Sequence, residues 1–254
     1  MTFSTNLPHP PFFSEPTWAD RLPADDLELS PSYYQETFAN KPAFQQEHAT
    51  DSNHGAHDEA GQRAELAQYY TMIAEMDAHF GRIVAEYERL GIWDDAVVLF
   101  LADHGDMMGA HKMRLKGIFP YEELHRIPCM LKLPKSTSPV LQTVDDLVSS
   151  IQAPADECVF FEHYAAYWGI HPFYAIRTPQ FKYARYYGQD ACEEMYDLHA
   201  DPHELTNIAA EPTYAEQRAG LSRRADTWWR NTNGRDLAYY ESDAFKANEH
   251  NVPD

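Results

Sequence analysis

The chain has 254 residues, 44% of them hydrophobic and 13% aromatic, enough for a packed core in one large domain or two modest ones. With 20 Lys and Arg against 40 Asp and Glu, the net charge of −20 repels a nucleic-acid backbone or an anionic membrane face and makes divalent cations the more natural partners. No apolar run approaches the roughly 20 residues that span a bilayer, the longest being Ala96–Ala102.

Residues 1–62 are rich in Pro, Asp, Ser and His, with Pro8, Pro10, Pro11, Pro16, Pro23, Pro31 and Pro42 spaced to break any long helix. An extended, loop-like lead-in is expected there. It opens without a basic stretch followed by an apolar one, so no signal peptide is read and the chain as written is expected in the cytoplasm. From Arg63 to Leu90 apolar residues recur at a helical period (Leu66, Tyr69, Tyr70, Ile73, Met76, Phe80, Ile83, Val84, Tyr87), and Gly91 stands where a capping glycine belongs. A long amphipathic helix is predicted. Next comes the continuous apolar run Ala96–Ala102, which reads as a strand buried on both faces, and Ile127–Pro134 reads as a second strand of the same sheet. Val144–Ile151 starts like a helix and is cut short near Pro154.

Beyond residue 153 the pattern changes to short alternating segments, Glu157–Tyr164, Phe173–Arg177, Phe181–Tyr187 and Glu194–Asp197, which predict a small antiparallel sheet. An amphipathic helix follows over Pro212–Asn231. The expected fold class is therefore α/β: part of a mostly parallel sheet flanked by helices, then a small antiparallel sheet with a C-terminal helix. In domain terms this gives a lead-in at 1–62, an α/β core at 63–152, the sheet and helix at 153–235 and a polar tail at 236–254. The three cysteines, Cys129, Cys158 and Cys192, show no CxxC spacing and suggest neither a disulfide framework nor a zinc site.

The string Leu101-Ala-Asp-His-Gly-Asp-Met-Met-Gly-Ala-His-Lys-Met-Arg-Leu-Lys-Gly117 carries the chemistry. Asp103 and His104 stand at the carboxyl end of a strand, where open α/β sheets bind ligands, and can offer a carboxylate oxygen and an imidazole nitrogen to one divalent ion. Gly105 would let the backbone turn around that ion. Lys116 supplies a fixed positive charge for a sulfate or phosphate oxygen. Taken alone, an Asp-His pair is more often a capping Asp beside an ordinary His, and a lone lysine is usually solvated. The surrounding string reverses those odds.

That string resembles the sulfatase family of the alkaline phosphatase superfamily, in which a strand ends in Asp-His-Gly-Asp, followed by a Gly-x-His step and then Lys-Gly. Met72–Ile83 is similar to the family helix before this strand, and Glu122-Glu-Leu-His-Arg-Ile-Pro128 to the segment after it. Ala175–Tyr183 and Glu194–Ile208, with Tyr196-Asp-Leu and Asp201-Pro-His-Glu204, are similar to the family's closing sheet. The resemblance implies sulfate ester hydrolysis, with Asp103 and His104 as metal ligands and Lys116 on the sulfuryl oxygens. It implies a divalent cation, calcium first and manganese in related phosphonate and phosphodiester hydrolases. His9, in Leu7-Pro-His-Pro-Pro-Phe12, would meet the substrate oxyanion or leaving oxygen, and His111 is either behind the metal ligands or at the surface. A sulfate or phosphate ester, on a small molecule or a glycan, is the implied partner, with no nucleic acid or membrane; oligomeric state stays open.

The sequence departs from the family in three places. The nucleophile motif Cys/Ser-x-Pro-x-Arg has no match: Cys129 is followed by Met-Leu, Cys158 by Val-Phe, Cys192 by Glu-Glu, and Ser14-Glu-Pro-Thr-Trp18 lacks the arginine. The family's first aspartate pair is not matched by Asp25-Asp26, which leaves the cation two carboxylates short. After Ile151 the chain is shorter than the family pattern. The sequence is thus expected to be truncated at the front. Two other readings stay open: a phosphonate or phosphate mono- or diester hydrolase, and a catalytically silent sulfatase-like piece with a binding or structural role.

Overall fold

The computed structural model describes residues 1–137 except 20 and 118, then 143, 147–148, 158–163, 171–187 and 191–232. In chain order the elements are α1 (Pro31–Gln35), α2 (Ala43–Thr50), α3 (Glu59–Arg89), β1 (Val98–Leu101), α4 (Glu122–His125), β2 (Cys129–Lys132), β3 (Val159–His163), β4 (Phe173–Arg177), β5 (Phe181–Tyr186), β6 (Glu193–Asp197) and α5 (Ala215–Asn231). No helix among the described residues is long and apolar enough to cross a membrane. Contacts divide the chain into two units, one of 1–34, 49–115 and 123–142, the other of 35–48, 116–122 and 143–254.

In the first unit α3 is the predicted long helix. It begins four residues earlier than the apolar pattern, because the Asp58 side chain caps it by accepting the Gly61 N–H at 2.8 Å. It ends where expected: Gly91 takes φ +70° and donates its N–H to the Glu88 carbonyl. Its buried residues are Gln62, Leu66, Ala67, Thr71, Met72 and Glu75, none of them past residue 75. The lead-in is not purely extended. Pro31 opens α1 from the first helical position, where its missing N–H costs nothing, and α2 starts directly after Pro42.

β1 and β2 pair antiparallel, with Leu99 opposite Leu131 and Leu101 opposite Cys129. The mostly parallel sheet expected from sequence is not found among the described residues, where every pairing is antiparallel. The apolar run specified a strand, but a run of that kind does not encode its neighbour's direction. Nor is the strand covered on both faces. Phe100 meets Phe80 of α3 with ring centroids 5.9 Å apart, while Leu99 and Leu131 on the opposite face are 57% and 60% exposed.

The second unit is built on the sheet β3-β4-β5-β6, antiparallel throughout as predicted. Strand alternation sends Tyr174, Ile176, Tyr183 and Met195 to one face, where Leu221, Ala225 and Trp229 of α5 cover them. Trp229 stacks on Tyr174 at 4.7 Å, and burying each such side chain contributes roughly 2–3 kcal/mol. The other face carries Phe173, Lys182, Tyr186, Glu194 and Tyr196, all buried. Against it lie Phe44, Gln45, Phe119 and Tyr121, from the 35–48 and 116–122 segments. The helix start expected at Val144–Ile151 and the polar tail at 236–254 lie largely outside the described residues.

Candidate active site

β1 delivers Asp103 and His104 two and three residues past its last strand position, and the two side chains meet there. The His104 N–H donates to Asp103 Oδ1 at 3.0 Å, and His104 Nε2 stands 3.7 Å from Asp103 Oδ2. His104 Nδ1 lies 2.7 Å from the Gly105 carbonyl. A carbonyl can only accept, so the proton belongs to Nδ1 and the lone pair to Nε2, beside the carboxylate. That is the tautomer a metal-binding histidine needs. The Asp103 side chain is 88% exposed, so its oxygens remain accessible to an ion from solvent.

Gly105 is required, but not for the turn the sequence suggested. Its φ is not left-handed; instead a Cβ there would stand 1.8 Å from the Glu123 carbonyl oxygen, and its N–H donates to the Leu124 carbonyl at 2.9 Å. Only glycine lets the strand end approach the 123–124 backbone this closely. From there to Leu115 the loop is closed by its own backbone: Met107 N–H to the Leu115 carbonyl and Gly109 N–H to the Met113 carbonyl, each 2.8 Å. Asp106 accepts the Met108 N–H at 3.0 Å, and burial pushes its carboxyl upward. Burial, with the Asp106 charge in second place, pushes Tyr69 up to about 12. His111 is fully buried at φ +51°, with its N–H on Ser32 Oγ and Nε2 3.9 Å from Glu123 Oε2. Of the two sequence readings for His111, the surface one is ruled out.

His9 is in the same unit but in an exposed turn, where its N–H donates to the Asn6 carbonyl at 2.6 Å and its Nδ1 faces the Pro10 carbonyl at 2.7 Å. Lys116 is half-buried and belongs to the second unit. A Cβ on Gly117 would lie 1.9 Å from the Phe119 ring, Phe119 and Tyr121 are buried, and Tyr121 donates its hydroxyl to Gln45 Oε1. Of the cysteines, Cys129 is exposed on β2, Cys158 is buried beside Arg224, and Cys192 is partly covered.

Among the described residues no group of three or more His, Cys, Asp and Glu side chains could hold a metal ion. Asp103 and His104 are chemically suited to a divalent cation but supply two donors, and a hard cation such as calcium takes six to eight oxygens. Two donors alone fall short of such a coordination shell.

Sequence reasoning overlooked a second ionic feature. Lys182, 1% exposed, stands 2.9 Å from Glu122 Oε1 and 2.8 Å from Glu204 Oε1, both ion pairs whose approach falls short of good hydrogen-bond geometry. The signal was present: Lys182 alternates with Ala184 and Tyr186 on a covered strand face, where a lysine must find carboxylates.

The profile of the Sulfatase family matches residues 1–155, and that described as N-sulphoglucosamine sulphohydrolase, C-terminal, matches residues 152–230. The chain belongs to the sulfatase family, whose members use a divalent metal. It is 28% identical over 190 residues to the N-acetylglucosamine-6-O-sulfatase of Bacteroides thetaiotaomicron, covering 61% of this chain and 34% of that protein. It is 31% identical over 186 residues to the choline-sulfatase of Rhizobium meliloti, covering 62% and 36%. The chain thus spans about a third of the length of these relatives. In fold it matches the phosphonate monoester hydrolase of Agrobacterium radiobacter with a TM-score of 0.70 at 23% identity, over 85% of this chain and 54% of that one.

Proposed function

We propose that this chain supplies the cation-ligand pair and the oxyanion lysine of a sulfate ester hydrolase acting on a sulfated sugar or another small sulfate ester. The observation that carries the reading is the His104 ring, fixed by the Gly105 carbonyl so that its lone pair lies beside the Asp103 carboxylate at a strand's carboxyl end. Asp103 and His104 would hold calcium, whose charge draws in the sulfate oxygens. Lys116 would neutralise charge building on those oxygens as the ester bond breaks. His9 carries its ring proton on the nitrogen turned toward Pro10, so it donates to a leaving oxygen through Nε2 only as the imidazolium. The family's nucleophile motif is not in this sequence, so the chain by itself is expected to bind rather than turn over. Likeness to the phosphonate hydrolase speaks for the fold alone. The sulfated substrates named for the sulfatase relatives support sulfur as the reacting centre.

Calcium titration by calorimetry, paired with hydrolysis of 4-nitrophenyl sulfate, tests this reading. Calcium is expected to bind weakly, with Kd on the order of 1 mM, and binding should vanish in both Asp103→Ala and His104→Ala. Binding that neither substitution touches would refute the cation role. Turnover abolished by Asp103→Ala would show that another nucleophile serves.

A further inference from the structure

The segment bearing Lys116 is tied down by a buried charge cluster within the second unit. Glu204, 1% exposed and itself at φ +50°, accepts the Glu122 N–H on Oε2 at 2.8 Å, while its Oε1 pairs with Lys182 of β5. The Glu122 carboxylate takes the other side of Lys182 and lies 3.4 Å from Arg177 of β4. From the 35–48 segment, Lys41 donates to the Glu204 backbone carbonyl at 2.7 Å and pairs with buried Glu36 at 2.6 Å. The Lys41 ammonium lies over the rings of Tyr121 and Tyr196. From β6, Glu194 accepts the Tyr186 and Tyr196 hydroxyls and the Gln45 amide. Among the described residues, the charged and titratable groups around Glu204 thus include Lys182, Arg177, Lys41, Glu122, Tyr121 and Tyr196.

We propose that Glu204 is the positioning residue for Lys116: its carboxylate, held by Lys182, takes the Glu122 amide and fixes the 116–122 segment on the sheet, and protonating Glu204 loosens that hold. An ionised carboxylate is about twice as strong an acceptor as a neutral one, so the Glu122 N–H bond and the Lys182 pair both weaken when Glu204 gains a proton. Lys182 then answers to Glu122 alone. Burial pushes the Glu204 carboxyl up to about 7 against the pull of Lys182, which places the change near neutrality. Four residues of this segment separate Lys116 from the anchored tyrosine, and Phe119 and Tyr121 fill the sheet face between. The consequence for catalysis rests on the role proposed above for Lys116; the latch itself does not.

The test is residue-resolved amide hydrogen exchange on the full chain across pH 5.5–8.5, corrected for intrinsic exchange. Relative to the amides of β4 and β5, protection of the Glu122 amide should rise by roughly tenfold with a midpoint near 7. In Glu204→Gln the step should be absent. A flat wild-type profile, or a step that persists in Glu204→Gln, overturns the proposal. Should that variant lose β4 and β5 protection as a whole, the wild-type Glu204 carboxyl carbon resonance decides instead: its midpoint must coincide with the exchange step, and a mismatch overturns the proposal. Lys116→Met separates the two readings, because it should keep the exchange step whether or not Lys116 serves a substrate.

Discussion

Replacing Lys182 by Met strips a cation that both Glu122 and Glu204 touch, and the cost should depend on pH in a direction the cluster dictates. At pH 8 both carboxylates are ionised, Glu204 buried and Glu122 partly so; removing one partner of a buried ion pair leaves an uncompensated charge and costs about 3–5 kcal/mol. At pH 5.5 Glu204, pushed up by burial to about 7, already carries its proton in the folded chain. Only Glu122 is then stranded, and it keeps Arg177 at 3.4 Å, so the cost should fall to about 2 kcal/mol. Because the folded value of Glu204 lies above its ordinary 4.5, the stability it contributes is complete below about pH 4.5 and is lost as pH rises through about 7. Without Lys182 that loss deepens and extends further upward. Glu122 has the opposite sign: burial alone would raise it, but Lys182 and Arg177 hold it below its ordinary value, so its contribution is lost as pH falls. Urea unfolding followed by the fluorescence of Trp228 and Trp229 at the two pH values measures the difference. An equal loss at both, or a loss under about 1 kcal/mol at pH 8, would refute the placement of these charges.

Gly105→Ala drives a Cβ into the Glu123 carbonyl and should cost about 2–4 kcal/mol in thermal unfolding and abolish calcium binding together with it. Trp229→Ala removes the ring stacked on Tyr174 and should cost about 3–5 kcal/mol in the same urea assay, with calcium binding intact after refolding in mild conditions. The double change Leu99→Thr with Leu131→Thr should lower self-association in analytical ultracentrifugation without destabilising the chain by more than about 1 kcal/mol, since both side chains are more than half exposed and the edge strands are open to pairing.

Where one element repeats its own period, the sequence was readable. The helical spacing from Leu66 to Tyr87, the glycine at 91 and the alternation through β4, β5 and β6 each describe a local surface, and each appears in the structure within a few residues. That Asp103 and His104 stand together past a strand end was equally legible, because the two are contiguous. Long-range pairing was not. Nothing in Cys129–Lys132 reveals that it runs antiparallel to β1, and nothing in Pro202–Glu204 reveals that its carboxylate reaches Lys182 and the Glu122 amide. The reason given for Gly105 missed in the same way: the constraint comes from Glu123, eighteen residues on, and not from its own torsion angles.

The two kinds of charge in the proposed chemistry are anchored by different means, and that has a consequence for how variants combine. Asp103 and His104 are held by backbone: a strand end, a glycine amide on the Leu124 carbonyl, and a loop stapled by its own hydrogen bonds. Lys116 is held by side chains, through aromatic packing at Phe119 and Tyr121 and the ionic contact network beneath Glu122. Glu204 takes no part in the backbone bonds that hold Asp103 and His104, so calcium affinity should not follow its proton, whereas the placement of Lys116 should. The contacts named for the two sets have no residue in common, and the free-energy effects of substitutions on calcium binding and on segment protection should add within about 0.5 kcal/mol. Coupling larger than that would mean the two anchorages move as one, and the separation of roles drawn from these contacts would fail.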